Sequence, residues 1–443
     1  MLVRLPRRAA VAHPSGSSGV GGCFAATQQD QFRRQHQQRS IKWSSRDSAT
    51  SSSVSTPGAK RFDFNASLPI LCHGTAGPQP VSHAYATKGE MVRFLKLMTR
   101  GRRMELVCDD LFKQQKIRGL CHLYDGQEAI AAGMEAAMSE EDAVSAYYRS
   151  HVWQITRGDN TGVGSMEAVF AEVMGKYTGC SKGKGGSMHM YNAEANFYGG
   201  NSSYTSHAQI AQATGSAFAF QYTGTKQVSF AVTGEGGENK GTLYESMNIA
   251  ALWKLPVIYV ICNVKTAIGT SNERGAAMAE YYKRGQYIPG LRVDGMDVLC
   301  VRDCTQFAIE HCRAGLGPFV LEMDAYRYHG WTMSDNGVTY RTRDDIKLVR
   351  STRDPIDMTK QRIIDAGWHT SAELNAMDKE VRKEIDVALR AAMAARPPPL
   401  EALFDDVLIE EVSTRAVELR DSRVVDVGGP CDGNVVVDPL LLR

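Results

Sequence analysis

The stretch that most constrains this chain runs from Gln227 to Asn263. It reads QVSFAVTGEGG, then NKGTLYESMNIAALWK, then LPVIYVICN. An apolar run enters a Gly-acid-Gly turn, a helix-length segment follows, and a second apolar run closes the unit. That is strand, helix, strand, with the turn at the carboxyl end of the first strand. Such units build a mostly parallel sheet with helices on both faces, and ligands bind outside the carboxyl ends of the strands. The turn Gly234-Glu235-Gly236 therefore marks the candidate site.

The rest of the chain fits the same class. Met91, Phe94, Leu95 and Met98, then Leu106, Leu111 and Phe112, recur at helical spacing between Lys88 and Lys116. DGQEAIAAGMEAAMS predicts a second helix with Asp125 as its N-cap. DAVSAYY reads as a buried strand, and SMEAVFAEVMG as a helix closed by Gly175. HAQIAQATGSAFAFQY predicts another helix. DVLCVRDCTQFAIEHCRAG and GPFVLEMDAYRY add a further helix and strand. From Asp344 to about Ala395 the pattern is helical and charged, and RPPPLEALF ends it. No internal repeat is present. The expected organisation is a disordered lead over 1–60, one α/β domain over 61–400 with a C-terminal helical segment, and an irregular tail over 401–443.

The chain has 443 residues, 43% of them hydrophobic, which allows a large core. Its net charge of +2 offers no general case for nucleic-acid binding. No run is long and apolar enough for a membrane helix. The ten cysteines contain no C-x-x-C pair, and Cys300, Cys304 and Cys312 fall on one amphipathic helix, where small core residues are expected. The first forty residues carry Arg4, Arg7, Arg8, Arg33, Arg34 and Arg39 against a single acid, Asp30. Rich in Ser, Gln and Gly and without an apolar core, this stretch has the composition of a mitochondrial targeting segment; a generic basic tail is the plain alternative.

Several segments carry a resemblance. IRGLCHLYDGQEAI, SAYYRSH, SKGKGGSMHMY, NFYGGN, NIAALWKLPVIYVICN, YYKRGQYIPGLRVDGMDVLCVRD, YRYHGWTMSDNGVTYRTRDDI and EVRKEIDVA follow one another across about residues 88–400. Together they resemble the alpha subunits of the thiamine-diphosphate-dependent decarboxylating component of pyruvate dehydrogenase. KGKGGSMHMY and the YRYHG-x-x-MSD pattern resemble the pyruvate type more than the branched-chain type. The resemblance implies a thiamine-diphosphate-binding fold in the mitochondrial matrix. It also implies a beta-subunit partner in an α2β2 assembly, with the beta subunit supplying a catalytic glutamate, and a lipoyl-bearing acyltransferase as acceptor. The reaction implied is oxidative decarboxylation of pyruvate on the way to acetyl-CoA.

The same resemblance implies roles for particular residues. Glu235 stands at the aspartate that holds Mg2+, and the backbone carbonyl of Thr266 at a further ligand. Gly234, Gly236 and Gly237 stand at the diphosphate turn, with Tyr148 and Arg149 near diphosphate and substrate. His122 and His329 are on the substrate side. Thr332 and Thr339 stand at phosphorylatable serines. Three positions depart from the pattern. After twenty-six residues beyond Gly236 the expected Asn-Asn pair reads Asn263-Val264, so the metal-ligating second asparagine is Val264. A Gly-rich run is replaced by SSYTSHAQ (202–209), whose Tyr204 and His207 are expected to obstruct the cofactor. A second histidine after His329 is Trp331. Two readings follow: a catalytic subunit with an altered metal shell, or a non-catalytic structural or regulatory paralogue. On the residues alone, His122 can be a satisfied core histidine and Arg149 an ion-pair partner. His151 reads as structural, and Lys182 to Gly186 as a solvated loop that lacks the P-loop spacing.

Overall fold

In the computed structural model the described residues are 56–75, 80–117, 119–158, 166–199, 207–403 and 405–406, with two-residue strands at Val424–Val425 and Val436–Val437. The expected lead over 1–60 and the tail over 401–443 fall almost wholly outside them, as does Tyr204. The strands that matter here are β1 (Lys60–Asp63), β2 (Leu71–His73), β3 (His83–Ala86), β4 (Ala143–Ser145), β5 (Ser229–Gly234), β6 (Val257–Asn263), β7 (Thr266–Ala267), β8 (Thr270–Ser271), β9 (Gly290–Asp294) and β10 (Phe319–Asp324).

Six of them form the central sheet in the order β2-β9-β10-β6-β5-β4. All neighbours are parallel except β2, which runs antiparallel to β9. The register aligns Gly234 with Cys262, Asn263 with Asp324, and Asp324 with Asp294. The carboxyl ends of four strands therefore share one edge, where the Gly-Glu-Gly turn leaves β5.

Period-two alternation divides the strand residues between two cores. Phe230 and Val232 of β5, with Ile258, Val260 and Cys262 of β6, pack into one cluster. Ala231, Val257, Tyr259 and Ile261 pack into the other. The first is covered by the helices Lys88–Lys113, Glu128–Ala137, His151–Gly158, Met166–Val173 and Val298–Arg313. The second is covered by Ala208–Tyr222 through Ile210, Ala213 and Ala217, and by Gly241–Trp253 through Leu243, Met247 and Ala250. Both faces are thus buried, as expected of a parallel sheet. Close approach is built in at Gly133: a Cβ there would lie 2.7 Å from the Val298 carbonyl oxygen. Cys300, Cys304 and Cys312 are buried free thiols on one helix, as the spacing predicts.

Helix ends follow the sequence at three places. Thr87 with Glu90, Thr342 with Asp345, and Thr370 with Glu373 each form a reciprocal capping box. One expectation fails. Asp125 does not cap the next helix, which starts at Glu128 after Gln127 with no side-chain cap bond. Its carboxylate is drawn instead to the His329 ring, 2.7 Å away and 204 positions on in sequence. The C-terminal helix Ser371–Ala394 joins the first core through Val381, Ile385 and Ala392.

Candidate functional site

The turn after β5 tightens into a 3-10 segment, Glu235–Asn239, before the helix Gly241–Trp253. Gly237 is required here: a Cβ would meet Thr233 Oγ1 and the His207 ring at 2.4 Å. Glu235 is buried. Its Oε2 accepts the Val264 N–H at 3.2 Å, while Oε1 has no partner among the described residues. Burial pushes this carboxyl above the usual range. A buried oxygen left unpaired is costly, and Glu235 lines a cavity, which together point to a ligand.

That cavity holds about 250 Å³ and is lined by Tyr147, Tyr148, Arg149, His207, Gly234, Glu235, Gly236, Gly237, Lys240, Cys262, Val264, Ala267, Ile268, Arg327 and Trp331. Two guanidiniums stand in its wall, each only 2% exposed. Arg149 donates to the carbonyls of Leu123 (2.7 Å) and Trp331 (2.6 Å). Arg327 donates to the carbonyls of His329 (3.0 Å) and Thr266 (3.4 Å) and to the Tyr340 hydroxyl (3.1 Å). Neither donates to a carboxylate among the described residues. Two buried cations on neutral acceptors lack a counter-charge, and burial together with the neighbouring Arg149 pulls the Arg327 pKa down. Beside Glu235 Oε1, this donor set fits a diphosphate carrying a divalent cation. Val264 lines the cavity and offers no ligand atom; the Thr266 carbonyl can, though it already receives Arg327.

The two histidines lie outside this wall. His122 Nδ1 is 2.8 Å from the Trp331 carbonyl, so Nδ1 carries the proton and Nε2 is left as a buried lone pair with no partner among the described residues. Burial and Arg149 push its pKa down to about 3, so the ring is neutral. It packs against Tyr148 and Trp331 at ring-centroid distances of 4.4 and 5.0 Å, and Trp331 Nε1 donates to the Tyr148 hydroxyl. His329 is opposite in character: burial opposes its charge, but Asp125 outweighs burial and raises its pKa. The loop that carries Arg327 to Tyr340 is held by Asp335, which accepts from the Trp331 N–H and the Tyr340 hydroxyl, and by Arg341, which reaches the Arg327 and His329 carbonyls. Thr332 is buried against Ser334 at 3.0 Å, whereas Thr339 is exposed.

The Lys/Gly loop wraps an internal anion. Backbone N–H groups of Ser181 and Gly183 donate to one oxygen of buried Glu172, and those of Gly185 and Gly186 to the other. This leads into Ser187, whose hydroxyl accepts the His122 N–H and meets His151 Nε2, with His151 Nδ1 on Glu105. His151 is thus held between Glu105 and Ser187. Glu172→Gln turns an amide N–H₂ toward donors and is expected to cost about 2–4 kcal/mol. Urea unfolding checks the loss, and hydrogen exchange should quicken over 181–187 first.

Reasoning from sequence missed Arg327 and Lys240. Both lie in quoted segments, but nothing local distinguishes them: their meaning comes from the charge they face. His207 was expected as an obstruction, and it stands in the wall with the cavity still open beside it.

A family model described as dehydrogenase E1 component matches residues 96–401. The chain is 45% identical over 369 residues to the mitochondrial pyruvate dehydrogenase E1 component subunit alpha of Dictyostelium discoideum, covering 83% of this chain and 94% of that one. It is 48% identical over 344 residues to subunit alpha-1 of Oryza sativa subsp. japonica, covering 78% and 86%. It is 48% identical over 317 residues to the human somatic form, covering 72% and 79%.

Proposed function

The chain belongs to the dehydrogenase E1 component family, with mitochondrial pyruvate dehydrogenase alpha subunits among its relatives, and from that premise we propose that it is the cofactor-binding subunit of a pyruvate-decarboxylating assembly. The observation that carries this reading is the pair of buried guanidiniums, Arg149 and Arg327, flanking the unpaired oxygen of Glu235. A purely structural subunit has no use for buried charges held open in this way, so the non-catalytic alternative is not favoured.

Thiamine diphosphate, when bound, supplies nucleophilic attack on a 2-oxo carbon and an electron sink for loss of carbon dioxide. The protein's own residues bind and orient. Arg149 and Arg327 have N–H groups left over for phosphate oxygens. Tyr148 is fixed by Trp331 in the same wall. Gly236 and Gly237 let the backbone approach closely. Glu235 Oε1 and the Thr266 carbonyl are the oxygens available to Mg2+. Neutral His122 presents Nε2 as a hydrogen-bond acceptor, and the raised affinity of His329 for a proton suits it to the carboxylate of pyruvate.

A beta subunit is the expected partner. On the helices Ala208–Tyr222 and Gly241–Trp253, Phe218, Tyr222, Leu252 and Trp253 are exposed together, with Phe218 5.5 Å from Trp253. Such aromatic faces are buried in assemblies. An α2β2 assembly, transfer of the acetyl group to a lipoyl-bearing acyltransferase and a matrix location complete the proposal. No described helix is long and apolar enough to cross a membrane. Of the two threonines, exposed Thr339 is the readier target for phosphorylation.

Calorimetric titration of thiamine diphosphate with Mg2+ into the chain co-expressed with its beta subunit tests the reading. Micromolar binding, followed by pyruvate-dependent release of carbon dioxide, is expected; a folded assembly that binds neither would overturn it. Restoring an oxygen ligand by Val264→Asn, with Glu235→Asp, is expected to tighten Mg2+ by about tenfold in the same titration.

A further inference from the structure

Resting on that reading of the site, we infer that His207 and Lys240 are added anchors for the anionic diphosphate end, supplying nitrogen donors beside Arg149 and Arg327. His207 is only 6% exposed, and its Nδ1 is shielded from water with no partner among the described residues. Its ring lies against Gly237 and lines the cavity beside Glu235 and Lys240. Some 250 Å³ remains open with this ring in place, so the histidine is part of the wall and not a plug.

Lys240 stands in the same wall and makes no ion pair with a carboxylate among the described residues. His207 and Lys240 both line the cavity beside Arg149 and Arg327, and among the described lining residues Glu235 is the one carboxylate. The wall is therefore net positive, and an anion with several oxygens is the chemical class that balances it. His207 stands in the left-handed region at φ 51°, where glycine or asparagine sits more easily than histidine. Asparagine in its place keeps both the backbone and a side-chain donor; glycine keeps the backbone alone.

The test uses the full chain assembled with its beta subunit and two probes, magnesium thiamine diphosphate and magnesium pyrophosphate, titrated calorimetrically. His207→Gly and Lys240→Gln are each expected to weaken both probes by about tenfold, the worth of one charge-assisted hydrogen bond. His207→Asn should stay within about threefold of the native chain. Lys240→Gln should also flatten the salt dependence. If His207→Gly binds both probes as tightly as the native assembly or more tightly, His207 is a filler and the inference falls while the cofactor reading stands. If the native assembly binds neither probe, the cofactor reading has failed and this inference with it.

Discussion

An Arg149→Met chain, assembled with its beta subunit, is expected to bind thiamine diphosphate about a hundredfold more weakly than the native chain. The guanidinium is 2% exposed and makes two hydrogen bonds, both to carbonyls. Its remaining N–H groups are free for phosphate oxygens in a wall already shielded from water. A charge-assisted bond in such a place is worth roughly 1.5–3 kcal/mol, and a guanidinium can make two to one phosphate. Arg149→Lys should not restore affinity, because a single ammonium cannot hold both carbonyls and the ligand at once. The carbonyls of Leu123 and Trp331 lose their donor in the methionine variant, so its melting temperature must be measured beside the titration. A folded Arg149→Met assembly that binds within about threefold of the native one would make Arg149 a clamp between Leu123 and the Trp331 loop and nothing more.

The second large effect concerns stability. Glu238 is fully buried and neither oxygen has a partner among the described residues. Burial, with Glu322 and Glu235 nearby and Arg284 only partly opposing, pushes its pKa up to about 8. A carboxyl whose folded pKa is raised binds its proton more tightly in the native state. Its contribution to stability is therefore greatest below its ordinary value near 4.5 and is lost as pH rises through about 8. At about 1.4 kcal/mol per pH unit, the full loss is on the order of 4–5 kcal/mol. Glu238→Met removes the titration and fits the same space with an apolar side chain. Its gain in urea unfolding should be largest near pH 9 and should shrink steadily toward pH 5. A gain that does not change with pH would mean that Glu238 does not titrate in this range.

Both predictions rest on groups that local sequence could not interpret. The strand–turn–helix–strand unit from Gln227 to Asn263 was legible because period-two and helical patterns are local, and because glycines that break an apolar run mark a turn. The helices from Lys88 onward and the buried cysteine helix were legible for the same reason: each depends on spacing within a few turns. The resemblance placed Arg149, Tyr148, Glu235 and the glycines in order along the chain.

Tertiary structure decided what those residues meet. Asp125 looked like a helix cap, since nothing nearby in sequence shows the His329 ring that takes its charge. Arg149 could be an ion-pair partner until the fold set it on the carbonyls of Leu123 and Trp331, with no carboxylate partner among the described residues. Glu172 became the anion inside the Lys/Gly loop, which is why that loop closes on itself. The sequence by itself determined which segments are strands and helices, and that the Gly-Glu-Gly turn lies at the carboxyl edge of the sheet. Only the fold decided which charges are paired and which are left waiting, because pairing depends on distances between segments that can lie about two hundred residues apart, as with Arg149 and Trp331.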